Sequence, residues 1–186
     1  HFEGSIAVKK RALALMERDV LSTAQMMIER FRSGGKILIC GNGGSAADAQ
    51  HFSAELINRF ERERKPLPAL ALTTDSSNLT SIANDYSYDE VFSKQVEALG
   101  SRDDLLVVIS TSGNSESIVR AAKEALNQEM PVIALTGGDG GRLNELAKEE
   151  KLLHLLKVPS ERTARIQEVH LLIIHVWCAY IDAEFA

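Results

Sequence analysis

This sequence has no excess of positive charge: 21 Lys and Arg stand against 26 Asp and Glu, a formal net charge of −5. Nothing in that balance would neutralise a phosphodiester backbone, so nucleic acid is not expected as a direct ligand. Long apolar runs are missing too. Stretches such as Leu105-Leu106-Val107-Val108-Ile109 fall far short of the roughly 20 residues of a membrane-spanning helix, and no segment is expected to cross a bilayer. Cysteine is scarce. Cys40 and Cys178 lie far apart, each inside an apolar stretch, which is the pattern of reduced thiols packed in a core and not of a disulfide or a thiolate metal site. The chain starts at His1 without an apolar leader core followed by small residues, and a cytoplasmic protein is expected. No low-complexity linker divides it. Its 186 residues, 45% hydrophobic and 25% charged, suit a single domain with a sizeable core.

Two periodicities organise the chain. From Ile6 to Phe31, apolar residues recur at three- and four-residue steps (Leu13, Met16, Val20, Ala24, Met27), which predicts one or two amphipathic helices in an N-terminal segment, 1–33, packing on the rest. Ser33-Gly34-Gly35 ends it. Short apolar runs at 36–40, 69–73, 105–109, 131–135 and 152–158 then predict five strands. Helical patterns lie between and after them, near 45–59, 77–84, 88–99, 115–129, 140–149 and 161–185. Such alternation predicts an α/β fold, with parallel strands joined by right-handed crossovers and helices on both faces. The cluster Glu61-Arg62-Glu63-Arg64-Lys65, closed by Pro66 and Pro68, predicts a solvated loop.

Three units share one design, a buried strand entering a small-residue loop and then a helix. Their loops are Gly41-Asn42-Gly43-Gly44-Ser45, Ser110-Thr111-Ser112-Gly113-Asn114-Ser115 and Thr136-Gly137-Gly138-Asp139-Gly140-Gly141. Ligands of open parallel sheets bind beyond the carboxyl ends of the strands, where all three loops fall. In the second loop, hydroxyls and flexible positions before a helix N-terminus offer side-chain and backbone donors to an anion, as a phosphate cradle does. The same residues also serve as ordinary turns and caps. No Gly-Lys-Ser or Gly-Lys-Thr is present to make a nucleoside-triphosphate loop. Gly41-x-Gly43-x-x-Ala46 fits the relaxed dinucleotide fingerprint. That design also needs an acid about 20 residues on, and Asp75 comes 32 residues after Gly43.

His51 and Glu55, four residues apart, share one helix face and can share a metal. On the last helix Gln167, His170 and His175 interrupt an apolar pattern. Gln167 and His175 lie about 80° apart around the axis, and His170 about 60° to the other side. Spacing does not choose between the two histidines, and either can equally be a core residue with a satisfied hydrogen bond.

Taken together and in order, Gly41 through Glu55, Ile82-Ala83-Asn84-Asp85, Ser110 to Ser115, Leu135-Thr136-Gly137 with Asp139-Gly140-Gly141, and Arg165-Ile166-Gln167-Glu168-Val169-His170 through His175 resemble the bacterial phosphoheptose isomerases of the sugar-isomerase (SIS) fold. The likeness spans nearly the whole chain; the N-terminal helix and Ala147 to Leu156 diverge. It implies a three-layer sandwich around a five-stranded parallel sheet, and a homotetramer with sites near subunit interfaces. It further implies one zinc per subunit on His51, Glu55, Gln167 and His175, which chooses His175 over His170. Substrate contacts are implied at Asn42, Gly43, Gly44, Glu55, Asn84, Asp85, Ser110, Thr111, Ser112, Ser115 and Gln167. Some members carry Asp where this chain has Ala164, so that polar contribution is absent.

The implied activity is aldose–ketose isomerisation of sedoheptulose 7-phosphate to D-glycero-D-manno-heptose 7-phosphate, the first step toward ADP-heptose and the lipopolysaccharide core. Moving a carbonyl from the second carbon to the first needs a base for the carbon-bound proton and a group that shuttles a proton between oxygens. Glu55 is assigned as base and His175 as its acid/base partner. The alternative is a non-enzymatic relative of the same fold that binds the bacterial replication initiator, which Ile57 to Glu61 also resembles; an intact Gly44 and Glu55 favour the enzyme. A sugar-phosphate sensor is disfavoured because the N-terminal helices lack a basic recognition helix.

Overall fold

Ile37–Gly41 and Leu105–Ile109 carry no polar side chain, and such strands are stable where a sheet is covered on both faces. The computed structural model, which describes all residues 1–186, places them so. Five parallel strands, β1 (Ile37–Gly41), β2 (Ala69–Ala71), β3 (Leu105–Ile109), β4 (Val132–Gly137) and β5 (Leu153–Val158), form one sheet in the order β2-β1-β3-β4-β5. Around it lie α1 (Phe2–Arg32), α2 (Gly44–Ile57), α3 (Ser76–Asp85), α4 (Ser93–Leu99), α5 (Glu116–Asn127), α6 (Gly141–Glu149) and α7 (Thr163–Phe185). The N-terminal segment is a single helix. The expected helix over 88–99 divides, because the Ser87 hydroxyl accepts the Asp89 N–H at 3.1 Å and starts a 3₁₀ turn, Tyr88–Glu90, ahead of α4.

The two-residue period of a strand sorts the core into two layers. Ile37, Ile39, Leu105, Val107 and Ile109 face α1, α2 and α7, where they meet Phe52 and Trp177. Leu38, Cys40, Leu106 and Val108 face the other way, against Phe92, Ile118 and Val119. The indole N–H of Trp177 donates to Val20 O and Thr23 Oγ1, both at 3.1 Å, and pins α7 along α1. Cys40 and Cys178 are free and buried. No helix is long and apolar enough to cross a membrane.

One expectation is corrected. The 61–65 cluster is not a wholly solvated loop, because the Arg64 side chain is 0% exposed and its guanidinium is paired with Asp182 at 2.7 Å. Charge composition points to water; the buried carboxylate on α7 supplies the partner that lets this one arginine leave it.

Strand order also locates the crevice. From β1 the chain crosses to β2 on one side, while β3 lies on the other, so the loops after β1 and β3 part above a topological switch point.

Candidate functional site

The loops after β1 and β3, joined by the start of α7, line a cleft of about 280 Å³. Asn42, Gly43, Ser45, Ser110, Thr111, Ser112, Ser115, Thr163 and Gln167 form its wall, and no Lys or Arg is among them. Gly43 caps α2 at φ 55°, a left-handed conformation that favours glycine. Gly44 is held by space: a Cβ there would stand 2.5 Å from Gln167 Nε2. Asn42 is fixed from both ends, since its amide donates to Ser117 Oγ at 3.0 Å and its oxygen accepts from Tyr88 Oη at 2.7 Å.

The second loop is held by its own hydroxyls and by the start of α6, where Leu143 N–H donates to Gly113 O at 3.1 Å and Arg142 N–H to Asn114 Oδ1 at 3.0 Å. Ser110 Oγ accepts Gly113 N–H and Ser112 Oγ accepts Asn114 N–H, each at 3.2 Å. The Ser115 side chain makes no capping bond to α5, and while Ile118 N–H donates to Ser115 O at 3.1 Å, the N–H groups of Glu116 and Ser117 have no acceptor in the chain and are open to an anion. Glu116, in that same turn, would oppose one. Hydrogen bonds from Arg120 and Arg142 pull its pKa down to about 2 and pair its charge.

A second group of residues lies along α2 and α7. His51 Nε2 is 3.1 Å from Glu55 Oε1, and the His51 and His175 rings meet edge-on with centroids 5.2 Å apart. Phe60 stacks on His175, with ring centroids 5.3 Å apart and planes 25° apart. One turn before His51, burial raises the pKa of the Asp48 carboxyl, while the nearby His51 opposes that shift. Gln167 links the two groups, because it lines the cleft and lies eight residues, about 12 Å of helix, before His175.

His170 is not part of either group. It is 0% exposed, with Nε2 3.0 Å from Thr136 O in the core, and burial lowers its pKa to about 4. Asn84 and Asp85 are exposed at the end of α3, where Asn84 Nδ2 donates to Asp85 Oδ1 at 2.9 Å; they are outside the cleft wall and close in sequence to Tyr88. Tyr88, Phe60, Asp48 and Thr163 escape sequence reasoning. Only Thr163 carries a sequence signal, since it opens α7 after β5 and so forms a fourth strand–loop–helix unit.

Two imidazoles, a carboxylate and an amide are a borderline donor set that suits zinc, and the space left at Gly44 admits the Gln167 amide. The pairs are close, yet no three His, Cys, Asp or Glu side chains are gathered to hold one ion in the single chain. The chemistry of the set therefore fits, and closure on an ion requires side-chain movement.

Residues 1–137 match the SIS domain family model. A phosphoheptose isomerase of Chromohalobacter salexigens is 55% identical over 184 residues, 99% of this chain and 92% of that protein. The solved phosphoheptose isomerase of Neisseria gonorrhoeae superposes with a TM-score of 0.90 at 51% identity, covering 98% of this chain and 95% of its own. That of Francisella tularensis gives 0.94 at 47% identity, with 98% and 94% covered.

Proposed function

The chain belongs to the phosphoheptose isomerases of the SIS domain family, and we propose from that premise that it interconverts sedoheptulose 7-phosphate and D-glycero-D-manno-heptose 7-phosphate. The observation that carries this reading is a site of two parts: an anion cradle at the strand ends and an imidazole–carboxylate group on α2 and α7, joined by Gln167. Such a pair suits a phosphate at one end of a chain of several carbons and a reacting carbonyl at the other.

In this mechanism the hydroxyls of Ser110, Thr111, Ser112 and Ser115 hold the phosphate together with the N–H groups of Glu116 and Ser117 at the start of α5. Asn42, Gly43, Gly44 and Gln167 line the path of the carbon chain, with Asn84 and Asp85 at the rim. Glu55 removes the proton from the first carbon of the ketose and returns it to the second, while His175 moves a proton between the two oxygens. His51, in contact with both, fixes their orientation. Zinc would be held by His51, Glu55, Gln167 and His175, and when bound it supplies a fixed positive charge for oxygens that become electron-rich.

An apolar groove of about 290 Å³ between α1 and α7, with Leu13 63% and Leu172 42% exposed, supports the family's homotetramer. Two buried free thiols suit a reducing cytoplasm, where the product would feed ADP-heptose and lipopolysaccharide core synthesis. The test is an isomerase assay on sedoheptulose 7-phosphate, with metal analysis and sedimentation of the same sample. Turnover by a zinc-loaded tetramer is expected; a folded, metal-loaded protein that leaves the substrate unchanged refutes the activity.

A further inference from the structure

Resting on the isomerase reading above, we infer that Arg64 is a positioning residue for the Glu55–His175 pair, acting through the backbone of α2, the 58–65 loop and α7. Its guanidinium uses several donors at once. Nε donates to Asp182 Oδ1 at 2.7 Å, Nη2 to Glu55 O at 2.6 Å, and Nη1 to Leu56 O at 2.8 Å and Lys65 O at 3.1 Å. The other Asp182 oxygen accepts the N–H groups of Glu61 and Arg62, at 2.7 and 2.8 Å. Burial alone would raise the Asp182 pKa, but these N–H donors and the guanidinium outweigh it and hold the carboxyl below its usual range.

Each end of this clamp reaches the chemistry. Glu55 and Leu56 lie in the last turn of α2, whose carbonyls lack partners within the helix, so Arg64 closes the turn that carries the proposed base. The 58–65 loop carries Phe60, stacked on His175. Asp182 is seven residues, about two turns, beyond His175 on nearly the same face of α7. One side chain thus sets the loop that backs the acid/base imidazole and the spacing of the two helices that carry the pair. A role in folding alone explains this less well, because replacing a buried ion pair by apolar residues is often neutral or stabilising. The helices also pack independently of it, through Phe52 and Trp177 with ring centroids 5.6 Å apart. What Arg64 adds is geometry, which a planar fork of donors supplies and a lysine does not.

The experiment compares wild type, Arg64→Lys and Phe60→Leu, each assayed on sedoheptulose 7-phosphate with the folded fraction and melting temperature measured by circular dichroism. A displacement of about 1 Å at the reacting groups costs roughly 100-fold, so Arg64→Lys is expected to lower kcat per folded molecule by about 10- to 100-fold. KM should stay within about threefold of wild type, since the cradle is untouched. Phe60→Leu leaves the charge clamp in place and should lower kcat about tenfold at an unchanged melting temperature. A structural role alone would reduce the folded fraction and leave kcat per folded molecule unaltered. With active wild type, kcat within about twofold in both variants, or an effect confined to KM, overturns the inference and spares the isomerase reading. Inactive wild type overturns both. Should Arg64→Lys fail to fold, an unchanged kcat in Phe60→Leu is sufficient to overturn the inference.

Discussion

At one end of the cleft, the 110–115 loop sets its hydroxyls mainly by short-range bonds, Ser110 to Gly113 and Ser112 to Asn114, with its far side tied to Arg142 and Leu143 at the start of α6. At the other end, His51, Glu55 and His175 stand on two helices more than a hundred residues apart in sequence, and their spacing depends on a third segment, the Phe60–Arg64 loop. A site assembled from local turns is specified by a short stretch of chain. A site assembled between helices is specified by packing, and its precision is correspondingly easier to lose. The two ends should therefore fail differently when altered, the cradle through binding and the helix pair through turnover.

The largest effect is expected at the helix pair. Glu55→Gln keeps the size of the side chain and removes the base, so kcat should fall roughly 10²- to 10⁴-fold while the heptose phosphate still binds. His175→Gln should also lose turnover and carry less zinc, because an amide is a poorer ligand than imidazole. Steady-state kinetics with metal analysis checks both, and activity surviving Glu55→Gln after complete metal removal would break the assignment.

At the cradle, replacing Ser110, Thr111 and Ser112 together by alanine removes up to three hydrogen bonds to the substrate, each contributing about 1–1.5 kcal/mol net. KM should rise roughly 10²- to 10³-fold, with the melting temperature lowered by a few degrees because the lost Ser110 and Ser112 hydroxyls also accept N–H groups of the loop. A loss confined to kcat would erase the proposed contrast between the two ends.

A third test uses two histidines of one helix. His170 prefers its neutral form in the fold, so it binds fewer protons there than in the unfolded chain between pH 6.5 and about 4. Its contribution is present above pH 6.5 and lost as pH falls through that window, by about 3 kcal/mol in all. Urea titrations at pH 7 and pH 4 should show a shallower pH dependence for His170→Gln, which should keep wild-type turnover per folded molecule at pH 7. Loss of that turnover would return His170 to the site.

The smallest effect is expected from Tyr88→Phe, which removes one hydrogen bond to Asn42, about 0.5–1.5 kcal/mol. KM should rise by a few-fold, read in the same assay. An unchanged KM would mean that Ser117 alone suffices to hold the Asn42 amide.

Much of this organisation is legible in the chain of residues itself. Runs such as Leu105–Ile109 announce buried strands because no polar residue interrupts them, and their spacing to the next helical pattern leaves only parallel crossovers. The hydroxyl loop is legible because its turn-forming residues lie within six positions, whereas its ties to Arg142 and Leu143 are not legible. Tyr88 gives no signal, because an exposed tyrosine after a helix reads as surface until its hydroxyl is seen to meet Asn42.

The sequence by itself determined the α/β class, the strand ends at which the small-residue loops gather, and the facing of His51 and Glu55 on one helix, because each follows from a local period or from steric limits on chain connection. Tertiary structure alone decided that His170 is buried against Thr136, that His175 meets both His51 and Phe60, and that Arg64 leaves water for Asp182. Those outcomes depend on which partner the fold brings within hydrogen-bonding or stacking distance, and a charged or ring-bearing side chain carries no mark of its partner until the helices are packed.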